Sequence, residues 1–219
     1  MHSSTNHSKP LIVGLAGPTG AGKSTAARRA ASRLNGHVIS MESYSISKDH
    51  LPLEQRAKVD YDAPEAIDVD LLTTHIRQFA TGNAIDAPIY DFAEHLRAKG
   101  RFERFSVKPL LIVEGILALH FPQLRSNFDL TIYLDVPDAT CFHRRRVRDI
   151  TERQRSLELI KWQYETTVLP AQRDYLMPSK RYANVIIDGT SEPAIVAENL
   201  TDTISKAITL RDKAAPVSV

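Results

Sequence analysis

One short run near the amino terminus contains the residue types that bind phosphate groups. Residues 17–24 read GPTGAGKS and match the pattern G-x-x-x-x-G-K-[ST] in full. The glycines allow backbone N–H groups to point at phosphate oxygens, with the amino terminus of a helix behind them. In this pattern Lys23 reaches the β- and γ-phosphates, and the hydroxyl of Ser24 binds Mg²⁺. The sequence therefore predicts a site for ATP and Mg²⁺ formed by Gly17, Thr19, Gly20, Ala21, Gly22, Lys23, Ser24 and Thr25.

Three carboxylates stand at the ends of apolar runs, where they could act near those phosphates. Glu114 ends the run LLIVE, and an acid at this place can hold Mg²⁺ through water, opposite Ser24. Asp135 ends the run LTIYLD in the same way, and the residues alone do not separate the two. Glu42 follows the run VISM among hydroxyl groups. It is either a solvated loop charge or a group that accepts a proton or holds a metal.

A phosphate-binding loop does not by itself define a reaction, but absent motifs narrow the choice. The chain contains no N-K-x-D guanine-binding motif and no D-x-x-G switch, both of which a GTPase needs. It also lacks the LSGGQ-type signature of a transporter ATPase. Small-molecule phosphoryl transfer is the leading class that remains. The basic run 142–155 could otherwise be a nucleic-acid patch or a solvated helix face, but no aromatic stacking platform is interleaved with it, so we expect no nucleic-acid partner.

Short apolar runs alternate with longer amphipathic stretches, which predicts an α/β fold of the P-loop NTPase type. We expect a mainly parallel sheet flanked by helices. The predicted strands are 11–15, 37–40, 110–114, 130–135 and 184–187, and the predicted helices are 23–34, 67–80 and 193–210. Segments 85–90 and 101–107 are expected to pair as a small β-hairpin across 92–100, in an insertion at about 84–108. A helical lid is expected at about 140–158.

The composition indicates one globular domain. The 219 residues are 42% hydrophobic and 25% charged, and the formal net charge of +2 is too balanced to indicate a nucleic-acid binder. The single cysteine, Cys141, cannot form an internal disulfide, so a reducing compartment, the cytoplasm, is expected. No apolar run approaches the roughly 20 residues that span a bilayer, so we expect no membrane partner. The domain is predicted at 11–211, between disordered tails at 1–10 and 212–219.

Five further stretches resemble the uridine kinase family in order and spacing. They are YDAPEAIDVDLL at 61–72, APIYDFAEHLR at 87–97, LIVEGILAL at 111–119, RRRVRDITERQRSLE at 144–158 and PSKRYANVII at 178–187. The resemblance implies transfer of the γ-phosphate of ATP to the 5′-hydroxyl of uridine or cytidine, with Mg²⁺. The products would be UMP and CMP, and the pathway pyrimidine salvage. The resemblance also implies a homo-oligomer, commonly a tetramer.

The resemblance assigns a role to Glu42. After the second strand the family reads D-S-F-Y, and its Asp is taken as the base that receives the 5′-hydroxyl proton. This chain reads Glu42-Ser43-Tyr44-Ser45, so Glu42 is the predicted base and also a metal ligand. Its reach exceeds that of Asp by one C–C bond, about 1.5 Å. The match of LIVEGILAL to the family favours Glu114 over Asp135 as the Mg²⁺ ligand.

The resemblance also predicts a nucleoside site. Asp62 corresponds to an acid that holds the ribose hydroxyls; alternatively it caps a helix before Pro64. Tyr90, Phe92 and His95 correspond to positions that enclose the base, although a lone loop histidine is usually only a surface residue. Arg97 either stays near the phosphate or is a solvated charge. The predicted substrate-binding residues are Tyr61, Asp62, Tyr90, Phe92, His95, Arg145, Arg155 and Gln163.

The basic run resembles the lid that closes over the nucleotide in this family. Forked guanidinium groups neutralise charge on the transferring phosphoryl group, and the arginines that match are Arg148, Arg153 and Arg155. Arg148 and Arg153 join Lys23 and Glu42 as predicted catalytic residues.

This chain departs from the family pattern at four places. Ser45 stands where the family has Tyr, Tyr61 where it has Phe, Ala63 where it has His, and Gln154 where it has Gly. Two other functions therefore stay open. One is a kinase of the same fold with a sugar phosphate acceptor, as in the related phosphoribulokinases, and the other is a nucleotide-binding regulator with little or no turnover.

Overall fold

The computed structural model describes residues 9–214 and contains a five-stranded parallel sheet and a separate two-stranded antiparallel hairpin. The strands in the described residues are β1 (Leu11–Ala16), β2 (Gly36–Ser40), β3 (Ile85–Asp91), β4 (Leu96–Phe105), β5 (Leu110–Glu114), β6 (Leu130–Asp135) and β7 (Val185–Asp188). The order in the sheet is β2-β5-β1-β6-β7, and β3 pairs with β4 in the hairpin. The predicted fold class is confirmed.

Helices cover both faces of the sheet. They are α1 (Lys23–Arg33), α2 (Leu53–Arg56), α3 (Val69–Ala80), α4 (Pro122–Arg125), α5 (Asp138–Thr151), α6 (Leu157–Gln163), α7 (Leu169–Ala171), α8 (Met177–Ser179) and α9 (Pro193–Ala214). From α6 to α8 the chain is one helical stretch with two π-helical segments, Tyr164–Val168 and Gln172–Leu176. Short 3₁₀ turns occur at Met41–Tyr44, Pro64–Ala66 and Lys180–Tyr182.

The central strands β1 and β5 are apolar except for Glu114 at the end of β5, because both of their faces are buried. Every residue of β1 and β5 is buried, as expected for strands in the middle of a parallel sheet. On one face, alanines of α1 and the apolar side of α9 pack against β1 and β6. On the other face, α3 packs through Leu72, Ile76 and Phe79. The alternating pattern of the sequence is thus satisfied by two helical layers.

The carboxyl ends of β1, β2 and β5 meet at one edge of the sheet. In register, Leu15 of β1 and Ser40 of β2 both stand beside Glu114 of β5. In a parallel sheet the ligand-binding crevice lies outside these strand ends. The loop 17–22, which follows β1, and the 3₁₀ turn Met41–Tyr44, which follows β2, therefore lie at this edge of the sheet.

The hairpin and the lid are present, with boundaries that differ from the sequence prediction. Strand β4 begins at Leu96 rather than at 101, so the loop shrinks from 92–100 to 92–95. The sequence LRAKG has low strand propensity, but the ladder continues through the pairs Tyr90–Arg97 and Asp91–Leu96. The lid helices are α5 and α6, which begin two residues before and end five residues after the predicted range 140–158.

The tail predictions fall largely outside the described residues, which exclude 1–8 and 215–219. Within the described part they need correction. Pro10 is buried, and the carbonyl of Lys9 accepts a hydrogen bond of 2.7 Å from Arg211 Nη1. Helix α9 continues to Ala214, three residues into the predicted tail 212–219. Asp, Lys and Ala are compatible with helix, and no glycine or proline stops it before Ala214.

Candidate active site

The loop between β1 and α1 has the backbone of a phosphate-binding cradle. Gly20 and Gly22 adopt φ values of +81° and +91°, which residues with a Cβ rarely adopt. Lys23 begins α1 and is buried, and its ammonium donates to the carbonyl of Pro18 at 2.9 Å. Burial lowers the pKa of Lys23, and the charge of Glu114 opposes that shift. The predicted loop residues are therefore brought together around a lysine that lacks a directly bonded carboxylate among the described residues.

Ser24 and Glu114 form the contact expected at a magnesium site. The hydroxyl of Ser24 donates to Glu114 Oε1 at 2.8 Å, and Glu114 is buried at the end of β5. Burial raises the pKa of Glu114, and the Lys23 ammonium opposes it. Asp135 lies on the other side of β1, where Lys180 pairs with it at 2.7 Å. The strand order thus separates the two acids that the apolar runs alone left equivalent, and a hydroxyl with one carboxylate is a donor set that suits Mg²⁺ bound to phosphates.

Glu42 lies on the 3₁₀ turn Met41–Tyr44, hereafter the Glu42 turn. Its side chain is 56% exposed, and the nearest cation is Arg153, whose Nη2 lies 4.0 Å from Oε2. The same carboxylate lines a cleft with an empty volume of about 770 Å³, part of it open to solvent. The negative charge of Glu42 favours the protonated forms of Lys23 and Glu114. It therefore opposes the downward shift of the Lys23 pKa and adds to the upward shift of the Glu114 pKa. Glu42 is therefore solvated, but at the wall of a cavity beside the phosphate loop.

The cleft brings together the predicted substrate residues from four separate segments. Phe92 and Tyr90 contact each other edge to face at 5.1 Å on the hairpin, and the guanidinium of Arg153 lies 4.3 Å from the Phe92 ring. We call this cleft the acceptor cavity. Predicted residues that line it are Glu42, Tyr61, Asp62, Tyr90, Phe92, His95, Arg145, Arg153, Arg155 and Gln163; Met41, Ser45, Ile67, Leu117 and Thr167 line it too.

His95 is a buried residue, so the surface interpretation is wrong. Its exposed fraction is 8%, and it occupies the end of the hairpin loop with φ of +52°. The ring of Tyr61 stacks on it, with centroids 5.9 Å apart. Burial lowers the pKa of His95 to about 4, and Arg155, Arg153 and Arg56 add to the effect. The imidazole is therefore neutral at neutral pH, with one nitrogen that donates and one that accepts.

Asp62 does not cap a helix, so that alternative is also wrong. The 3₁₀ turn at Pro64 begins after Ala63 and has no side-chain cap. Instead, the carboxylate of Asp62 accepts a long hydrogen bond of 3.4 Å from the hydroxyl of Thr167. Burial raises the pKa of Asp62, and the charge of Arg145 opposes this. The carboxylate keeps acceptor capacity toward the cavity that it lines.

The lid arginines converge on one acid that the sequence analysis did not single out. Asp149 is completely buried, and four guanidinium groups surround it. Arg148 binds it most closely, with Nη2 2.7 Å from Oδ1, and the charges of Arg148, Arg145 and Arg153 hold the pKa of Asp149 below its usual range against the effect of burial. The signal that the sequence offered is that Asp149 is the one acid in the basic stretch RRRVRD at 144–149. The four arginines are Arg145, Arg148, Arg153 and Arg155.

Gln163 connects the lid to the rest of the cavity. Its Oε1 accepts from Arg145 at 3.4 Å and from Arg155 at 3.3 Å, while its Nε2 donates to the carbonyl of Ala57 at 2.9 Å. Arg145 also donates to the hydroxyl of Thr19 at 3.2 Å, which links the lid to the phosphate loop. Gln163 thus lines the cavity as predicted, and its amide holds two arginines in place.

Two further arginines hold segments next to the cavity, and the sequence pattern did not reveal their partners. Arg56 donates to the carbonyl and the carboxylate of Glu94, at 2.8 and 3.0 Å, and so fixes the hairpin loop next to His95. Arg97 pairs with Asp68 and donates to the carbonyl of Tyr44 at 2.6 Å. Arg97 is therefore paired rather than a solvated charge, which corrects that interpretation from the sequence, and it does not line the acceptor cavity. These partners are far apart in the chain, so only the fold reveals them.

Comparison with known proteins shows the family to which the chain belongs. The family described as "Phosphoribulokinase / Uridine kinase family" matches residues 12–196, which is most of the chain. The chain belongs to the phosphoribulokinase/uridine kinase family. The predicted family membership and the predicted class of enzyme, a kinase, are thereby confirmed.

Two relatives in this family illustrate the degree of similarity. The uridine kinase of Alkaliphilus metalliredigens is 42% identical over 182 residues, covering 82% of this chain and 87% of the relative. The uridine kinase of Ligilactobacillus salivarius is 36% identical over 208 residues, covering 94% and 97%. A solved structure from Bacillus stearothermophilus, described as a possible uridine kinase, has a TM-score of 0.51 at 21% identity, covering 84% of this chain and 92% of that chain. That structural likeness supports the kinase fold alone.

Over residues 9–214, no helix combines the length and the apolar character needed to cross a bilayer.

Proposed function

We propose that this chain transfers the γ-phosphate of ATP to the 5′-hydroxyl of uridine or cytidine, forming UMP or CMP for pyrimidine salvage. The observation that carries the proposal is the composition of the acceptor cavity. One continuous cleft is lined by a free carboxylate beside the phosphate loop, a second carboxylate, and a group of aromatic residues with a neutral histidine. A nucleoside offers a hydroxyl, a diol and a flat base to those three chemistries.

The phosphate end of the site orients the donor. The N–H groups of the loop 17–22 and the ammonium of Lys23 bind the β- and γ-phosphates of ATP. Ser24 and Glu114 would hold Mg²⁺, which when bound neutralises charge on the β- and γ-phosphate oxygens. Lys23 is already desolvated, so its charge is not weakened by surrounding water. Little covalent chemistry is required of the protein, and positioning contributes most of the rate.

Glu42 accepts the proton of the 5′-hydroxyl as the oxygen attacks. Within the described residues no hydrogen bond occupies its carboxylate, and Arg153 at 4.0 Å is the one ion-pair partner. The carboxylate is therefore available to a ligand in the acceptor cavity that it lines. A base of this kind contributes roughly 10²- to 10⁴-fold to the rate. The extra methylene of Glu relative to Asp is accommodated when the acceptor oxygen lies slightly farther from the strand end.

The nucleoside is held by residues from the opposite walls. Asp62 accepts hydrogen bonds from the ribose hydroxyls, and the edge-to-face pair Tyr90 and Phe92 contacts the base. His95 is neutral, so it offers one donor and one acceptor to the base edge. Uracil and cytosine differ in these groups, and an imidazole can match either through its tautomer. The pocket therefore suits both pyrimidines.

The lid contributes positive charge to the transferring phosphoryl group. Arg153 lines the acceptor cavity and lies near Glu42, and the positive charge of Arg148 contributes to the lowered pKa of Lys23. Asp149 forms ion pairs with both arginines. When ATP binds, its phosphates provide a second anionic partner, and the guanidinium groups then neutralise charge spread over the transferred group.

An acceptor panel tests this proposal. The purified chain is incubated with ATP and Mg²⁺ and, separately, uridine, cytidine, adenosine, ribose 5-phosphate and ribulose 5-phosphate, and ADP release is measured. Uridine and cytidine should give the highest kcat/KM. A sugar phosphate as the preferred acceptor would replace the proposal with the other kinase function. Nucleotide binding without transfer to any acceptor would indicate a regulator.

A further inference from the structure

The side chain of Glu42 is not fixed by its own contacts. Its carboxylate is 56% exposed, and among the described residues its one ion-pair partner is Arg153 at 4.0 Å. Its direction toward the acceptor cavity must therefore come from the backbone of the Glu42 turn, residues Met41–Tyr44. A turn of four residues at the end of an edge strand has few hydrogen bonds of its own. Contacts from other segments must therefore hold the backbone of the Glu42 turn.

A clamp of two charged residues binds the carbonyl end of this turn. The carbonyl of Tyr44 accepts two hydrogen bonds, from Arg97 Nη2 at 2.6 Å and from the N–H of Asp68 at 2.9 Å. Both terminal nitrogens of Arg97 also donate to Asp68 Oδ2 at 3.2 Å. The other oxygen of Asp68 caps α3 by accepting from the N–H of Leu71. The Glu42 turn is thus fastened to the amino terminus of α3 through one guanidinium and one carboxylate.

The buried ring of Tyr44 provides a second anchor that does not involve charge. The ring is fully buried in the core, and its hydroxyl lies 2.8 Å from Nδ1 of His75 on α3. Ser45 then forms an isolated antiparallel bridge with Ile67, and the N–H of Ile46 donates to the carbonyl of Ala66. These contacts keep the turn folded when Arg97 is changed. Loss of Arg97 should therefore alter the orientation of the turn without unfolding it.

Arg97 also connects the catalytic turn to the base-binding hairpin. It lies on β4 directly opposite Tyr90 of β3, and Tyr90 lines the acceptor cavity. Arg97 itself does not line that cavity. Its side chain is 21% exposed and its Nε is buried without a hydrogen-bond partner among the described residues. Arg97 therefore lies outside the cavity, but it connects the hairpin that carries Tyr90 to the turn that carries Glu42.

We infer that Arg97 is a positioning residue for catalysis: it sets the direction of Glu42 by holding the Tyr44 carbonyl against Asp68 and the hairpin. This inference rests on the proposed role of Glu42 as the base. An error of about 1 Å in the position of a reacting group costs on the order of 10²-fold in rate. A single guanidinium that holds the turn from the hairpin side therefore has a large effect on kcat, although it is outside the cavity.

A double-mutant cycle tests the inference. Arg97→Gln removes the charge and the fork but keeps a polar side chain, and it should lower kcat with uridine by roughly 10- to 100-fold. The Kd for ATP should stay within twofold. Glu42→Gln alone should lower kcat by roughly 10²- to 10⁴-fold. In the Glu42→Gln background, Arg97→Gln should then change kcat by less than about twofold, because the group that it positions is already inactive. Arg101→Gln, on an exposed part of the same strand, is the matched control and should retain wild-type kcat.

The experiment gives different results when the proposed base is wrong and when the positioning role of Arg97 is wrong. If Glu42→Gln loses less than threefold, the proposed base is wrong, and the role of Arg97 falls with it. If Glu42→Gln is severely impaired but the effect of Arg97→Gln is the same in both backgrounds, the base stands and the positioning role is overturned. If Arg97→Gln does not fold, Asp68→Asn replaces it in the cycle. That change keeps the backbone N–H on Tyr44 and removes the charge that holds Arg97.

Discussion

Tyr61 stacks on His95 with an angle of 21° between the rings, and its hydroxyl donates to the carbonyl of His95 at 3.1 Å. One contact is with the imidazole ring of His95, and the other is with its backbone carbonyl. They hold His95 in a left-handed conformation that costs a non-glycine residue about 1 kcal/mol. Strain of this kind persists where the surrounding structure over-determines it, often at a binding site. Tyr61 thus fixes the histidine that faces the acceptor cavity.

The first prediction concerns substrate use by His95→Asn. Asn tolerates a positive φ, so this variant keeps the hairpin loop while removing the imidazole. We expect kcat/KM for uridine and cytidine to fall by about 10-fold or more, the value of one or two buried hydrogen bonds. The Kd for ATP, measured by calorimetry, should remain unchanged. His50→Asn, at an exposed loop position, serves as the control. A defect in ATP binding alone would contradict the assignment.

The second prediction concerns stability at acidic pH. The pKa of His95 is lowered from its ordinary value of 6.5 to about 4 in the folded state. Between those values the unfolded chain binds a proton that the folded chain does not, so stability decreases as the pH falls from 6.5 toward 4. The contribution of His95 is at most about 3 kcal/mol. In urea titrations across this range, His95→Asn should lose less stability than the wild type. Equal losses would show that other groups cause the acid sensitivity.

The third prediction concerns Lys23→Ala. Removing the desolvated ammonium from the phosphate loop should lower kcat by at least about 10²-fold, the size of a lost electrostatic contact to developing charge. The fold should persist, because the described partner of Lys23 is one loop carbonyl. Circular dichroism and thermal unfolding check this. Lys206→Ala, on the exposed face of α9, is the matched control. Wild-type kcat in Lys23→Ala would contradict the assignment of the phosphate loop.

The fourth prediction concerns the turn between the lid helices. Gln154 has φ of +53° and stands between Arg153 and Arg155, which both contact Asp149. Gln154→Gly relieves a strain of about 1–2 kcal/mol and costs about 1 kcal/mol of unfolded-state entropy. We expect the change in the free energy of unfolding to lie between neutral and a gain of about 1 kcal/mol.

Gln78→Gly is the matched control for this variant. Gln78 is exposed within α3, and glycine at such a position should cost about 1 kcal/mol. Chemical denaturation of both variants measures the difference. If the two substitutions destabilise the chain equally, the left-handed conformation of Gln154 carries no strain, and the prediction is wrong.

Much of the fold was predictable because its signals are local. The phosphate loop needs glycines at fixed positions and a lysine at the start of a helix, and these residues are consecutive in the chain. The buried strands β5 and β6 appear as short continuous apolar runs, since both of their faces are covered. The apolar runs alone did not separate Glu114 from Asp135, and the family resemblance favoured Glu114; the structure separates the two acids through the strand order, which places β1 between β5 and β6. No local pattern contains that information.

The supporting residues were not predictable because their partners are distant in sequence. Arg97 was visible as part of the stretch AEHLR, yet its partners Asp68 and Tyr44 lie on two other elements. Asp149 stood in a basic run that reads as a solvated helix face until the lid folds around it. The length of β4 depends on backbone pairing with β3 rather than on strand propensity. Tertiary contact, not composition, determines each of these features.

The central claim is phosphoryl transfer to the 5′-hydroxyl of a pyrimidine nucleoside. The test is the structure of the product formed from uridine, ATP and Mg²⁺, determined by phosphorus NMR. The matched control is 5′-deoxyuridine, which lacks the 5′-hydroxyl group. We expect 5′-UMP as the product from uridine. No product is expected from 5′-deoxyuridine, which should instead inhibit competitively with uridine. Phosphate on the 2′- or 3′-hydroxyl, or turnover of 5′-deoxyuridine, would contradict the placement of Glu42 and Asp62 in the acceptor cavity.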